Sequence, residues 1–451
     1  MTTTFNMGRP ATEVATTTAA EQPVLVWKFG GTSVADHNRL RAVAERMVAA
    51  QRAGHRVVAV LSAMGKSTDE LSRMAYQMSA RPPMRELDAL LSVGESVSCS
   101  LAAMAVHELG SRAMSFTGGQ AGILTDGTHG NARLRDVRPE RITAALNDGA
   151  IALVTGFQGV SPDGAVTTLG RGGSDASAVA VAAALGVSEC EIFTDVPAVF
   201  TADPRVVPGA KRIHELRHEE MLEMAEAGAG VLQPRSVELA AAHGVDIHLR
   251  SSFSTEPGTW IRRGGSAFED AEVAGVAHRR EEPVYAAKGV TAAEVTLALA
   301  ERGAAIGAIL PAGTDSPDEL RFSAPGVDPA EVAAALDGLD TQLSTHLELG
   351  TVSVVSLGIA RKPALVARAL RTLADAGIEP EFVTTTTGRV TVHLPSALVD
   401  EAVRLLHTEF VPATAGESAA AGENTRGSRG GTADHTVATV TDLHQAPKGA
   451  A

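Results

Sequence analysis

The chain has 451 residues, of which 44% are hydrophobic and 20% are charged, and its formal net charge is −14. This length predicts two to four globular domains with a large core. The negative charge argues against a nucleic acid or an anionic membrane as partner. Two cysteines can form neither a disulfide framework nor a metal cluster, which favours the reducing cytoplasm as the location.

The two ends of the chain differ in composition from the rest. Residues 1–22 are rich in Thr and Ala and lack the features of a signal peptide, so we expect a disordered lead-in. Residues 413–451 are rich in Ala, Gly, Thr and Ser and are predicted to be a disordered tail. The chain has no uninterrupted apolar run of about 18 residues, so no membrane-spanning segment is expected.

Buried strands alternate with helices over residues 23–265. The predicted strands are 24–28, 56–61, 113–117, 151–155 and 191–194, and the predicted helices are 36–53, 84–109 and 138–148. Nearly all-apolar strands that alternate with helices are typical of an α/β fold, a mostly parallel sheet sandwiched by helices. Ligands of such sheets lie at the carboxyl ends of the strands, so the residues that follow the strands are the candidate site.

A glycine-rich turn, G-R-G-G-S-D at 170–175, connects one strand to an Ala- and Val-rich helix. Ser174 is expected to cap that helix, with Asp175 in its first turn. A helix start favours an anion, and Arg171 adds a planar set of donors that suits a carboxylate or a phosphate. A tight turn with one surface arginine would give the same pattern, so this turn alone decides nothing.

A second candidate anion site is K-F-G-G-T-S at 28–33. Lys28 ends a buried strand, and Gly30 and Gly31 permit close approach of a phosphate to the backbone. The alternative is a lysine that extends from the sheet edge above an ordinary turn. Because Arg171 is expected at a neighbouring strand end, the pattern favours two anionic groups that meet between Lys28 and Arg171.

Two facing anions suit phosphoryl transfer to a carboxylate. Such an acceptor, with a pKa of about 4, is already ionised at neutral pH, so the reaction needs no general base. It needs alignment of two mutually repelling anions and neutralisation of the phosphoryl group. The lack of an obvious Ser-His-Asp triad in the sequence agrees with this chemistry.

The character of the chain changes after residue 266. Two successive stretches, 282–338 and 350–410, each read strand, helix, strand, strand, helix. A repeat of about 65 residues indicates paired small α+β modules. We therefore predict a catalytic domain at 23–265, module 1 at 266–345 and module 2 at 346–412.

Eight motifs occur in order along the first domain. They are V-W-K-F-G-G-T-S-V, V-L-S-A-M-G-K-S-T-D-E-L, S-V-G-E, S-F-T-G-G-Q-A-G, H-G-N-A-R, G-F-Q-G-V, T-T-L-G-R-G-G-S-D and T-D-V-P-A-V-F-T-A-D-P-R. Together they closely resemble the aspartokinases of the amino-acid kinase family, strongly over residues 24–260. The two later modules look like that family's pair of ACT regulatory domains. One such motif would be weak support, whereas eight at similar spacing are very specific.

The resemblance implies ATP- and Mg²⁺-dependent phosphorylation of the side-chain carboxylate of L-aspartate. This reaction is the entry to lysine, threonine and methionine biosynthesis, or to a branch of it. The family also implies a homo-oligomer through the ACT-like modules. Two alternatives stay open: a related kinase of another small acid, and a non-catalytic amino-acid-binding protein with degenerate modules.

The resemblance also assigns residues to roles. Lys28 would stabilise the transferring phosphoryl group and Asp175 would orient Lys28. Arg171, supported by Ser174, would bind the substrate α-carboxylate, and Glu95 would receive its ammonium. The other implied contacts are Thr68 in the substrate pocket, and Gly30, Gly31, Ser62, Thr194, Asp195, Phe200 and Arg205 on the nucleotide side.

The sequence departs from the family at informative positions. The family usually has a lysine near the ATP phosphates where Gly230 stands, and a tyrosine near the adenine where Phe200 stands. Loss of one phosphate cation predicts a raised ATP requirement. The first ACT module of the family carries an aspartate and an asparagine that are missing from 286–294 and 304–310 here. We therefore expect feedback inhibition to be weak or lost, with the modules kept as a dimerisation platform.

Overall fold

The computed structural model describes residues 22–264, 273–302, 304–310 and 318–411, which lie in one compact unit. The predicted disordered tail and all but the last residue of the predicted lead-in lie outside the described residues.

The strands and helices of the described residues are numbered in chain order. The strands are β1 (Val24–Phe29), β2 (Arg56–Leu61), β3 (Ala113–Phe116), β4 (Ile123–Thr125), β5 (Leu134–Val137), β6 (Ile151–Thr155), β7 (Gln158–Val160), β8 (Val166–Thr168), β9 (Glu189–Thr194), β10 (Glu215–Arg217), β11 (Asp246–Ser251), β12 (Thr259–Arg262), β13 (Gly275–Arg279), β14 (Val284–Lys288), β15 (Ile309–Leu310), β16 (Glu319–Ser323), β17 (Leu343–Leu347), β18 (Leu349–Val355), β19 (Phe382–Thr385) and β20 (Arg389–Pro395). The helices are α1 (His37–Arg52), α2 (Ser67–Met78), α3 (Met84–Leu91), α4 (Val93–Glu108), α5 (Glu140–Asn147), α6 (Gly173–Ala184), α7 (His218–Glu226), α8 (Pro234–His243), α9 (Ala292–Glu301), α10 (Pro329–Leu336), α11 (Pro363–Asp375) and α12 (Val399–Phe410).

An eight-stranded sheet forms the centre of the first domain, in the order β10-β12-β11-β9-β1-β2-β6-β3. Its strand pairs are parallel except β11 with β12, which confirms the predicted α/β fold. Alternate residues of β2 enter two different cores, because successive side chains of a strand point to opposite faces. Val57, Ala59 and Leu61 pack with α1 and α4, whereas Val58 and Val60 pack with α5, α6 and α8.

The carboxyl ends of the central strands meet at one edge of the sheet. Phe29 pairs with Leu61 and with Phe193, and Leu61 pairs with Thr155. The residues that follow β1, β2, β6 and β9 therefore lie side by side. This edge is where the sequence placed the candidate chemistry.

Some elements of the first domain differ from the prediction. No strand was predicted between residues 117 and 138, but this region contains β4 and β5, which join β7 and β8 in a small four-stranded sheet. Helix α2 was not predicted either. The four strands of the small sheet have three or four residues each, so they show too little alternation to reveal a strand from the sequence.

The strands of the two C-terminal modules form two separate antiparallel sheets, and module 1 interrupts the chain of module 2. One sheet has the order β15-β16-β14-β17, and the other has the order β13-β18-β20-β19. Strand β13 precedes module 1 in the chain but pairs with β18 of module 2. The predicted module 1, 266–345, therefore includes a strand, β13, whose partner lies in module 2, and its predicted end at residue 345 falls inside β17. Local patterning identifies a strand but not its partner.

Module 2 contacts the first domain through a cluster of charged side chains. The Arg389 guanidinium Nη1 lies 2.6 Å from Glu223 Oε2 and 2.8 Å from Glu226 Oε2, both on α7. The Arg389 and Glu223 side chains are only 18% and 16% exposed. Arg279 of β13 donates a further bond of 2.5 Å to the Glu226 backbone carbonyl. The interface thus depends on arginines of module 2 that bind the carboxyl-terminal end of α7.

One stretch, Met84–Glu108, is long and apolar enough to cross a membrane by length and composition alone. The stretch comprises α3 and α4, and both Asp88 and Glu95 within it are buried against the rest of the domain. A core helix of a globular domain passes the same test, and we interpret the stretch as one.

We expect Arg389→Met to lower the free energy of unfolding by about 1–3 kcal/mol, because the largely buried Glu223 carboxylate would lose its cationic partner. Urea denaturation followed by circular dichroism measures the change. Arg280→Met is the matched control, since the Arg280–Asp400 pair lies on the surface with side chains 55% and 41% exposed. Equal midpoints for Arg389→Met and the wild type would contradict the expected role of this cluster.

Candidate active site

A cleft with a cavity volume of about 280 Å³ opens at the carboxyl edge of the large sheet. Many of the residues singled out in the sequence line it. They are Lys28, Gly31, Ser62, Thr68, Glu95, Arg171, Ser174 and Asp175. These residues come from β1, β2, α2, α4 and α6 and from the turns beside them, so the fold brings together positions up to 147 residues apart (28 and 175).

Lys28 and Asp175 form an ion pair in this cleft. Lys28 Nζ lies 2.6 Å from Asp175 Oδ1, and the two side chains are 11% and 9% exposed. Lys28 is fixed by the backbone of β1, and Asp175 lies in the first turn of α6. A Cβ atom on Gly30 would lie 3.4 Å from Lys28 Nζ. The glycine therefore leaves one side of the ammonium accessible to a second anion.

The glycine turn (residues 170–173) carries Arg171 into the cleft. Gly170 and Gly172 have φ angles of +75° and +72°, a region that disfavours other residues. Gly172, and not Ser174, is the residue before the helix, so the predicted cap at Ser174 was wrong. The turn enters α6 through a left-handed glycine, which places Ser174 inside the helix. Ser174 packs there on Gly156, where a Cβ atom would lie 2.7 Å from Ser174 Cβ.

Glu95 is a buried carboxylate that faces the cleft from α4. It is 3% exposed, its Oε1 accepts a hydrogen bond of 3.2 Å from the Ala63 amide, and its Oε2 has no hydrogen-bond partner among the described residues. Burial raises the pKa of Glu95 to about 7. Gly94 permits this placement, because a Cβ atom there would lie 2.7 Å from Ala63 Cβ. A cationic group in the cleft would satisfy Oε2 and favour the ionised form.

The other predicted nucleotide contacts lie outside the residues that line this cleft. Thr194 ends β9 beside β1 and donates a hydrogen bond of 3.1 Å to Asp195. Phe200 forms an isolated β-bridge with Arg212. Arg205 is exposed, and its guanidinium donates bonds of 3.0 and 2.7 Å to Asp203. The residues predicted to bind the substrate therefore line one cleft. Thr194, Asp195, Phe200 and Arg205 instead lie at the end of β9 and in the chain that follows it.

Gly230 is exposed, and a Cβ atom there would meet only the Gly228 carbonyl oxygen, at 4.0 Å. Its φ angle is not in the left-handed region. A longer side chain could therefore be accommodated at this position.

No group of three or more His, Cys, Asp or Glu residues that could hold a metal occurs within the described ranges. Mg²⁺ commonly binds through phosphate oxygens, waters and one or two carboxylates. Asp175 and Asp195 are carboxylates near the strand ends that would fit this mode.

Asp88 is a buried residue of this region that the sequence analysis did not single out. It is fully buried on α3 and accepts hydrogen bonds from the Gly130 amide (3.0 Å), Thr168 Oγ1 (2.5 Å) and His129 Nδ1 (2.7 Å). It therefore joins α3 to the H-G-N-A-R loop and to β8. The only available signal was a carboxylate among the apolar residues of a predicted helix.

Comparisons with known proteins agree with this geometry. The family model described as "Amino acid kinase family" matches residues 23–251. An aspartokinase of Mycolicibacterium smegmatis is 45% identical over 86% of this chain and 96% of its own length, and one of Geobacillus stearothermophilus is 42% identical over 86% and 97%. The crystal structure of E. coli aspartokinase III in complex with aspartate and ADP has a TM-score of 0.70 and 21% identity, covering 86% of this chain and 99% of that one.

The chain belongs to the amino acid kinase family and, within it, to the aspartokinases. The resemblance found in the eight motifs is thereby confirmed.

The raised pKa of Glu95 predicts a pH-dependent cost in stability. Below about pH 4.5 the carboxyl is protonated in both states. From pH 4.5 to about 7 the unfolded state releases a proton that the folded state retains, so the free energy of unfolding falls as pH rises. The loss is complete above the folded-state pKa and is on the order of 3 kcal/mol.

Glu95→Gln should therefore be more stable than the wild type at pH 8, by on the order of 3 kcal/mol, and equally stable near pH 4.5. Urea denaturation of the substrate-free proteins at both pH values measures the difference. Glu108→Gln, at the far end of the same helix, is the control. A difference that does not vary with pH would contradict the raised pKa.

Proposed function

We propose that this protein transfers the γ-phosphoryl group of ATP, bound with Mg²⁺, to the side-chain carboxylate of L-aspartate, giving ADP and 4-phospho-L-aspartate. The observation that supports this most is the buried Glu95, whose free Oε2 faces the same cleft as Arg171 and the Lys28–Asp175 pair. A negative group and a positive group across one cleft suit the ammonium and the α-carboxylate of an amino acid. Each curated relative compared above is itself an aspartokinase.

The transfer forms a bond between a carboxylate oxygen of aspartate and the γ-phosphorus, and breaks the bond from that phosphorus to the oxygen that ADP keeps. ADP takes the electron pair, and no proton has to move. Lys28 neutralises charge on the transferring group, while Asp175 holds the ammonium in place at 2.6 Å. Gly30 and Gly31 bring backbone close to the phosphates.

Recognition of the substrate rests on the other cleft residues. Arg171 binds the α-carboxylate with Ser174 beside it, and Glu95 binds the ammonium next to Thr68. The remaining contacts are on the nucleotide side: Ser62, Thr194, Asp195, Phe200 and Arg205. Because the pKa of free Glu95 is about 7, binding of the ammonium also shifts this carboxyl to its ionised form.

We further propose a cytoplasmic homo-oligomer assembled through the ACT-like modules. Both cysteines, Cys99 and Cys190, are buried free thiols, which agrees with a reducing compartment. The product would enter lysine, threonine and methionine biosynthesis or a branch of it. The missing aspartate and asparagine in 286–294 and 304–310 support weakened feedback control.

The competing hypotheses are a kinase of another small acid and a non-catalytic amino-acid-binding homologue. Gly230 is the best support for weak catalysis, since it removes a cation that the family uses at the phosphates. The intact Lys28–Asp175 pair favours catalysis over a purely binding role, because a buried ammonium beside two glycines suits a transferring phosphoryl group.

The direct test is ADP release by the purified protein with millimolar MgATP and a panel of acids: aspartate, glutamate and N-acetylglutamate, each with and without lysine and threonine. We expect activity with aspartate alone, little inhibition by either effector, and a fall of about 100-fold or more for Lys28→Met. Lys66→Met controls for loss of a nearby lysine. Inactivity with aspartate would reject the proposal, and activity with a different acid would support the second hypothesis.

Gly230→Lys should lower the KM for ATP by about 5- to 150-fold, because a charged hydrogen bond contributes about 1–3 kcal/mol. The site has room for the side chain, and its backbone is not left-handed. Steady-state kinetics at saturating aspartate measures the effect. Gly230→Met, of similar length without the charge, should show no such gain, and an equal gain in both variants would refute the charge explanation.

A further inference from the structure

Arg235, near the start of α8, forms hydrogen bonds to the backbone beside the glycine turn. Its Nη1 donates a hydrogen bond of 2.8 Å to the Leu169 carbonyl, and its Nη2 donates one of 2.7 Å to the Ala132 carbonyl. Leu169 is the residue immediately before the turn and is 1% exposed. One guanidinium thus joins two chain segments at the entrance to the turn that carries Arg171.

The two residues whose carbonyl groups bind Arg235 also form backbone hydrogen bonds through their amides. The Ala132 amide donates to the Thr168 carbonyl at 2.8 Å, and the Leu169 amide donates to the Phe157 carbonyl at 2.8 Å. Arg235 donates hydrogen bonds to the carbonyl oxygens of the same two residues, Ala132 and Leu169. A planar fork of two N–H groups matches two such oxygens, whereas a lysine ammonium has no fixed fork.

Gln233, the residue before α8, contacts the other end of the glycine turn. Gln233 packs so closely on Gly172 that a Cβ atom there would lie 2.0 Å from Gln233 Cγ. Gln233 and Arg235 therefore flank the turn from one rigid element. The turn itself has little stiffness, because Gly170 and Gly172 on either side of Arg171 permit many conformations.

We propose that Arg235 is a positioning residue that acts through Arg171: it fixes the glycine turn so that the Arg171 guanidinium meets the α-carboxylate of the substrate. This inference rests on the proposed function. A flexible turn cannot place a guanidinium accurately, and a displacement of about 1 Å can cost roughly 100-fold in rate. Arg235 binds the Leu169 carbonyl and Gln233 packs on Gly172, so the turn has its binding conformation before the amino acid binds.

The test is a double-mutant cycle on kcat/KM for aspartate with Arg235→Lys, Arg171→Ala and the double variant. We expect Arg235→Lys to lower kcat/KM about 10- to 100-fold, mainly through KM for aspartate, with KM for ATP changed less than about 2-fold. Once Arg171 is absent, Arg235→Lys should have little further effect. Multiplicative losses, or equal changes in both KM values, would overturn the inference.

Arg52→Lys is the matched control, because Arg52 also donates to a backbone carbonyl, that of Leu109 at 2.8 Å, away from the cleft. It should leave all constants unchanged. If Arg235→Lys does not fold, Gln233→Ala in the same cycle should give a smaller loss that likewise depends on Arg171; independence from Arg171 would overturn the inference. A wild-type protein without aspartate-dependent ADP release would refute the proposed function instead.

Discussion

The ion pair of Lys28 and Asp175 is the interaction on which the cleft depends. Removing two charges from water costs several kcal/mol for each ion, and their attraction does not reliably exceed that cost. A buried pair of this kind is therefore poor evidence for stabilisation of the fold. A functional role for the ammonium would explain the buried pair. Lys28 lies beside Gly30 at the carboxyl edge of a parallel sheet, where it can bind an anionic ligand. Asp175 keeps that charge in position until a second anion is bound.

Glu95 has the opposite environment. It is as buried as Lys28, yet only one of its oxygens is bonded within the described protein, and its pKa rises to about 7 as a result. Lys28 thus has a partner of opposite charge before any substrate binds, whereas Glu95 gains its full charge from an incoming cation. One side of the cleft is built to receive negative charge and the other to receive positive charge. A zwitterionic amino acid fits both, and a simple dicarboxylate fits only the first.

The sequence predicted well what depends on local patterning. Strands β2 and β6 have the predicted bounds, because continuous apolar runs between turn residues identify buried strands. The predicted cleft residues share one edge because strand ends do so in any parallel sheet. The cap at Ser174 failed, since a left-handed glycine can enter a helix without a side-chain cap. The pairing of β13 with β18 was missed because pairing with a strand distant in sequence leaves no local trace. The hydrogen bonds of Arg235 were missed for the same reason, since their acceptors are backbone carbonyls distant in sequence.

The segment from Gly228 to Arg235 has contacts on two sides. At one end Gly228, with φ +108°, packs so closely on module 2 that a Cβ atom would lie 2.4 Å from the His278 carbonyl oxygen. At the other end Gln233 and Arg235 hold the glycine turn. Gly230 lies between these fixed points and is exposed. The glycine turn and module 2 therefore contact one short piece of backbone. In the proposed function this piece lacks a phosphate cation at its middle, and neither end depends on that cation, because neither contact involves position 230.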